Sequence, residues 1–235
     1  MTNKEILKYI DHTLLTPNCT SEDIFKLAEE AARYEMAAIC IPPRYVSEVF
    51  MKLPFVNICT VVGFPLGYSS TDVKRFETRT AIDDGASEID MVVNLIDVKD
   101  GNFDKITEEI KAVKAVCRDK ILKVIIETCY LTKEEKIELC KCVVDGGADY
   151  IKTSTGFGES GASLDDILLF QTHLGDKVKI KASGGIKTRQ DIERYINLGA
   201  SRIGTSSVIK ALTAVQTVES DEEKKEEEST GDEQK

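Results

Sequence analysis

Short runs of β-branched and other apolar residues alternate along the chain with longer stretches in which apolar positions recur every three or four residues. The runs read as strands at residues 9–14, 38–41, 57–62, 88–93, 121–126, 149–153, 178–182 and 202–205. Between them the helical period predicts helices over 21–34, 45–52, 71–84, 103–117, 132–144, 164–173 and 189–198. In the first of these, Ile24, Leu27, Ala28 and Ala31 form one stripe, and Ser21 stands where a capping residue belongs. The 45–52 segment follows Pro42 and Pro43 and precedes Pro54, and its pattern is the least regular.

A degenerate repeat accompanies the alternation. D-G-A-S-E-I-D, G-G-A-D-Y-I-K and L-G-A-S-R-I-G recur around Gly85, Gly147 and Gly199. Each reads as a helix stopped by a glycine, a tight turn and a buried strand. Strands that alternate with helices need crossover connections and so form a parallel sheet. Eight such units at this length point to an α/β protein with a closed (β/α)8 TIM barrel. An open doubly wound sheet has the same periodicity. The barrel domain is expected over residues 1–218, followed by an acidic tail over 219–235. That tail holds nine acids against three bases and has no apolar period, so it is expected to be disordered.

The net charge of −10 is concentrated in the tail, and the body lacks the basic stripe of a nucleic-acid binder. No apolar run approaches the roughly 20 residues of a membrane span, and the N-terminal stretch M-T-N-K-E-I-L-K-Y-I does not resemble a signal peptide. Seven cysteines without a C-x-x-C pair suggest free thiols in a reducing cytoplasm. With only two histidines and no ligand spacing around them, no metal site is expected.

The chemistry-bearing residues stand at strand ends, where barrel active sites form. Lys152, in D-Y-I-K-T-S-T-G, ends the sixth strand, and Lys181, in K-I-K-A-S-G-G, stands near the end of the seventh. Adjacent strands are about 4.8 Å apart. Two ammonium groups so placed repel, and one should release its proton more readily. A neutral lysine amine adds to a carbonyl and forms a Schiff base, which acts as an electron sink. Asp90, a carboxylate in an otherwise apolar fourth strand, needs a cation, and Lys152 or Lys181 can supply it. A buried ion pair without catalytic work fits the same spacing. Lys123, in L-K-V-I-I-E-T, either joins this charge network or is neutralised by Glu127.

The loops after the seventh and eighth strands hold A-S-G-G-I-K-T and I-G-T-S-S. Gly184 and Gly185 would let backbone amides approach an anion, and Ser206 and Ser207 would open the next helix toward it. This is where barrels commonly bind phosphate. The ligand expected is a small phosphorylated carbonyl compound.

Taken in order, Y-I-D-H-T-L-L, A-I-C-I-P-P-R-Y, V-V-G-F-P-L-G, E-I-D-M-V-V-N, K-V-I-I-E-T, D-Y-I-K-T-S-T-G-F, K-A-S-G-G-I-K and I-G-T-S-S resemble the deoxyribose-phosphate aldolase family over about residues 9–210. The resemblance implies a class I aldolase without metal or organic cofactor. Such an enzyme reversibly cleaves 2-deoxy-D-ribose 5-phosphate to D-glyceraldehyde 3-phosphate and acetaldehyde in deoxynucleoside breakdown in the cytoplasm, in many members as a homodimer. It implies Lys152 as the Schiff-base lysine, Asp90 and Lys181 as proton carriers, and Thr155, Gly184, Gly185, Ser206 and Ser207 around the phosphate. Phe157 stands where some members carry a further lysine, so the phosphate site is either weaker or differently built. The last tyrosine is Tyr195, whereas some members use one at the extreme C-terminus. A transaldolase-like enzyme and a silent sugar-phosphate-binding barrel are the competing readings.

Overall fold

In the computed structural model, which describes residues 1–212, the eight apolar runs form strands that end within one residue of their expected bounds. They are β1 (Ile10–Thr13), β2 (Ala38–Ile41), β3 (Ile58–Val62), β4 (Glu88–Val92), β5 (Ile121–Ile125), β6 (Tyr150–Lys152), β7 (Lys179–Ser183) and β8 (Arg202–Thr205). All pair in parallel in chain order, and β8 returns to β1, so the sheet closes into a barrel. Closure excludes the open doubly wound alternative. The expected domain end at residue 218 and the acidic tail lie outside the described residues.

The expected helices form as α2 (Ser21–Arg33), α3 (Val46–Lys52), α4 (Thr71–Asp83), α6 (Phe103–Cys117), α7 (Lys133–Asp145), α8 (Leu164–Leu174) and α9 (Arg189–Asn197). Two further helices of five residues, α1 (Asn3–Leu7) and α5 (Leu95–Lys99), are too short to show a period in the sequence. Thr20, not Ser21, caps α2. Its Oγ1 accepts the Asp23 N–H at 3.2 Å, and the Asp23 carboxylate accepts the Thr20 N–H at 2.9 Å.

The glycine repeat stops three helices in one way. Gly85, Gly147 and Gly199 have φ of +110°, +73° and +103°. The alanine after each donates its N–H five residues back, to Ala81, Val143 and Tyr195. This left-handed turn satisfies the last carbonyls and aims the chain into the next strand.

Alternation along the strands separates two interiors. Ile89, Met91, Leu122, Val124, Ile151 and Ile180 belong to the main core, together with apolar side chains from the surrounding helices. The opposite strand faces fill the barrel, where Ala38 and Cys40 of β2 and Cys59 and Val61 of β3 form a small apolar patch. Asp11, Glu88, Asp90, Lys123, Lys152, Lys181 and Arg202, all buried, share that interior.

Candidate active site

β4 carries two acids two residues apart, Glu88 and Asp90, so its pleat turns both into the barrel. Glu88 reaches Arg202 of β8 at 3.0 Å, and only a contact across the barrel interior can join strands four apart in the ring. Asp90 Oδ1 is 2.8 Å from Lys123 Nζ. Its Oδ2 is 2.7 Å from Lys152 Nζ and 2.8 Å from Lys181 Nζ. Lys152 and Lys181 are register partners on neighbouring strands, and this one oxygen holds both amines. Asp11 of β1 completes the network through Lys181, Arg202 at 2.6 Å and Lys123 at 3.6 Å. Lys123 also meets Glu88 at 2.6 Å.

Both expected partners of Asp90 are therefore present at once, and Lys123 joins them. Neutralisation of Lys123 by Glu127 is corrected. Glu127 lies beyond the end of β5 in left-handed backbone (φ 51°), where strand alternation no longer applies, and its carboxylate binds Thr155.

Among the described residues the network sets Lys123, Lys152, Lys181 and Arg202 against Asp11, Glu88 and Asp90. Burial alone would push the Asp90 carboxyl up, but the ammonium groups of Lys123, Lys152 and Lys181 outweigh it and hold it well below the usual range. Burial likewise opposes the charge on Lys181, and Asp11 and Asp90 overcome it, holding that lysine above its ordinary value. Lys123 is raised in the same way. Lys181 is therefore not the amine that gives up its proton more readily.

A cavity of about 290 Å³ opens at the C-terminal ends of β6, β7 and β8, and Lys152 lines it. Thr155, Gly184, Gly185, Ser206 and Ser207 line the same cavity. Asp90 and Lys181, each 0% exposed, lie behind Lys152 rather than on the wall. Gly184 and Gly185 have φ of +84° and +77°. A Cβ on Gly184 would stand 2.8 Å from Gly161 Cα, so this turn fits only glycine. Ser206 and Ser207 immediately precede a helical stretch that begins at Val208, and the Ser207 N–H donates to Thr205 Oγ1 at 3.1 Å. Phe157 lines the cavity and meets Phe64 edge-on at 5.4 Å. Lys187 lines it too and brings a second cation to its wall.

Among the described residues, two groups of buried atoms have metal-ligand chemistry: Cys40, Cys59 and Asp90, and Asp11, Cys59 and Glu88. Lys123 Nζ already stands 2.8 Å from Asp90, 2.6 Å from Glu88 and 3.2 Å from Cys59 Sγ. An ammonium group thus serves these atoms as their cation.

Asp11, Glu88, Cys59 and Lys187 join the site from the structure and not from the sequence, and Glu127 enters it with a different partner from the one expected. Asp11 carries the signal that exposes Asp90, an acid inside an apolar strand. Lys187 stands within the K-A-S-G-G-I-K motif.

A family model described as DeoC/LacD family aldolase matches residues 5–215. The deoxyribose-phosphate aldolase of Clostridium botulinum (strain Eklund 17B / Type B) is 57% identical over 218 residues, covering 92% of this chain and 99% of the relative. That of Clostridioides difficile (strain 630) is 52% identical, covering 89% and 96%. Among solved structures, the aldolase QR15 superimposes with a TM-score of 0.87 at 36% identity, over 91% of this chain and 96% of that one. The tetrameric deoxyribose phosphate aldolase of Aeropyrum pernix gives 0.85 at 30%, over 92% and 93%.

Proposed function

The chain belongs to the DeoC/LacD family of aldolases, and from that premise we propose that it cleaves 2-deoxy-D-ribose 5-phosphate reversibly through a Schiff base on Lys152. One observation carries the reading: of the four cations in the barrel network, Lys152 is the one that lines the cavity. It has a single carboxylate partner, whereas Lys181 has two and Lys123 three. Four cations face three carboxylates in this network.

The neutral Lys152 amine adds to the C1 aldehyde of the open-chain sugar, and loss of water leaves an iminium ion. The C2–C3 bond then breaks. Its electron pair enters the iminium to give an enamine, and the C3 hydroxyl, losing its proton, becomes the aldehyde of D-glyceraldehyde 3-phosphate. Protonation of the enamine carbon and hydrolysis release acetaldehyde and free the amine. Asp90 Oδ2 touches both Lys152 and Lys181, so it can pass protons between them. Gly184, Gly185, Ser206, Ser207 and Lys187 surround the phosphate. No described helix is long and apolar enough to cross a membrane. All seven cysteines are free thiols, which fits a reducing cytoplasm and an enzyme acting there in deoxyribose phosphate breakdown. Val73 and Phe76, exposed one turn apart on α4, fit a face covered in a homodimer.

Incubation with 2-deoxyribose 5-phosphate, borohydride reduction and peptide mass spectrometry test the assignment. An adduct on Lys152 is expected. An adduct on Lys181 would exchange the two roles. No adduct, with phosphate-ligand binding intact, would overturn the enzymatic reading.

A further inference from the structure

Glu127 is a buried carboxylate, 2% exposed, in a backbone region that non-glycine residues enter only when their surroundings hold them there. Burial pushes its carboxyl up. Its oxygens accept the Thr155 N–H at 3.1 and 3.3 Å and also accept a hydrogen bond from the Thr155 hydroxyl. Thr155 Oγ1 in turn accepts the Phe157 N–H at 3.0 Å. Thr155, Gly156 and Phe157 form the cavity wall that follows Lys152 by a few residues. The contact is tight on the far side as well, where a Cβ on Gly158 would stand 3.2 Å from Glu127 Cδ.

A threonine has one hydroxyl proton and one N–H. Both go to Glu127, so Thr155 has no donor left for a phosphate oxygen. Gly184, Gly185, Ser206, Ser207 and Lys187 supply the anion site from the β7 and β8 loops instead. We infer that Glu127 is a positioning residue that clamps the Thr155–Phe157 wall beside Lys152, and that Thr155 belongs to this clamp rather than to the phosphate site. The inference rests on the proposed aldolase reading for its kinetic readout.

The experiment compares E127A, E127Q, T155V and E127A/T155V with wild type on 2-deoxyribose 5-phosphate and on unphosphorylated 2-deoxyribose. Loss of wall position should lower kcat/KM for E127A by about ten- to a hundredfold, and by the same factor for both substrates. T155V should also lower both equally. The double variant should be no worse than E127A, since the two residues act as one unit. E127Q keeps an acceptor oxygen and should recover most of the loss. If E127A does not fold, the T155V comparison on the two sugars decides alone. A T155V loss confined to the phosphorylated substrate would make Thr155 a phosphate ligand and overturn the inference, as would multiplicative losses in the double variant. Failure of the aldolase reading itself is visible separately, as absence of a borohydride adduct in wild type. Calorimetric affinities of T155V for the two sugars then separate clamp from ligand without relying on turnover: an unchanged phosphate preference supports the clamp, and a lost one overturns it.

Discussion

Lys74 and Lys152 are both buried, and each has a carboxylate within hydrogen-bond reach, yet their surroundings differ in kind. Lys74 of α4 donates to Glu109 of α6 at 2.8 Å and to the Val92 carbonyl at the end of β4 at 2.8 Å. Its side chain is 0% exposed and packs under Gly63. Burial pushes Lys74 down and Glu109 up, moving both toward their neutral forms. That shift of Lys74 is in the direction an amine nucleophile needs. Lys74 has no open face, so nothing can reach it. Lys152 is 2% exposed, and it lines a cavity together with Gly184, Gly185, Ser206 and Ser207. What distinguishes a reactive lysine here is access and its place in a charge network with one cation in excess.

The sharpest way to break this comparison is to remove each lysine. Lys152→Ala should abolish turnover and borohydride trapping while leaving the thermal midpoint nearly unchanged. The remaining Lys123, Lys181 and Arg202 still balance three carboxylates. Lys74→Ala should do the reverse. It leaves Glu109 buried without its cation, a loss of about 3–5 kcal/mol, while the folded fraction keeps its kcat. Steady-state cleavage and thermal unfolding on both variants decide the matter. A Lys74 variant that folded normally and lost turnover would refute the separation of roles.

Lys181→Leu comes next in size. If Lys181 carries protons rather than the substrate, kcat should fall by about 10²–10⁴-fold, while borohydride still captures an adduct on Lys152. Loss of the adduct along with the rate would return Lys181 to the role of nucleophile.

The two ion-pair systems should also respond to pH with opposite sign. Asp11 and Asp90 are held below their ordinary 3.8, Asp90 well below. Their contribution to stability is therefore complete above that value and is lost as pH falls below it. Glu109 is raised from 4.5, so its ionisation weakens the folded state as pH rises through and above that value. Thermal midpoints measured against pH should show an acid limb below about pH 4 that flattens in Asp11→Asn. An unaltered limb in that variant would remove Asp11 from the network's stability.

The barrel is legible in the sequence because each strand is a compact apolar run and each of three helices ends on a glycine, signals that need no tertiary knowledge. Asp90, Lys152 and Lys181 are legible because a charge in such a run has to be paired. Asp11 meets the same criterion, but its partners Lys181 and Arg202 lie 170 and 191 residues away, too far for the sequence to connect them. Glu127 misleads for a different reason. Period-two alternation holds through Ile125, and the chain leaves extended backbone two residues later. Lys187 sits on a loop, where no periodicity indicates which way a side chain faces.

The smallest expected effect concerns Cys59, the barrel thiol that touches Asp90. Cys117 and Cys140 are buried among apolar side chains, and burial pushes both up to about 12. Cys59 is also raised well above 9.0, first by burial, but it is engaged: its S–H donates to Asp90 Oδ1 at 3.0 Å, and its sulfur accepts from Lys123 at 3.2 Å. That contact fixes the oxygen of Asp90 that faces away from Lys152. Cys59→Ala should therefore lower kcat by up to about fivefold, the rate equivalent of roughly 1 kcal/mol for one hydrogen bond. Cys59→Ser, which keeps a donor, should stay close to wild type. Cys140→Ala removes a similar volume from the outer core and should lower the thermal midpoint without altering kcat. Equal kinetic effects of the two alanine variants would mean that Cys59 merely fills space. A kinetic loss confined to Cys59→Ala would mean that the position of the Asp90 carboxylate, and not only its charge, sets the rate.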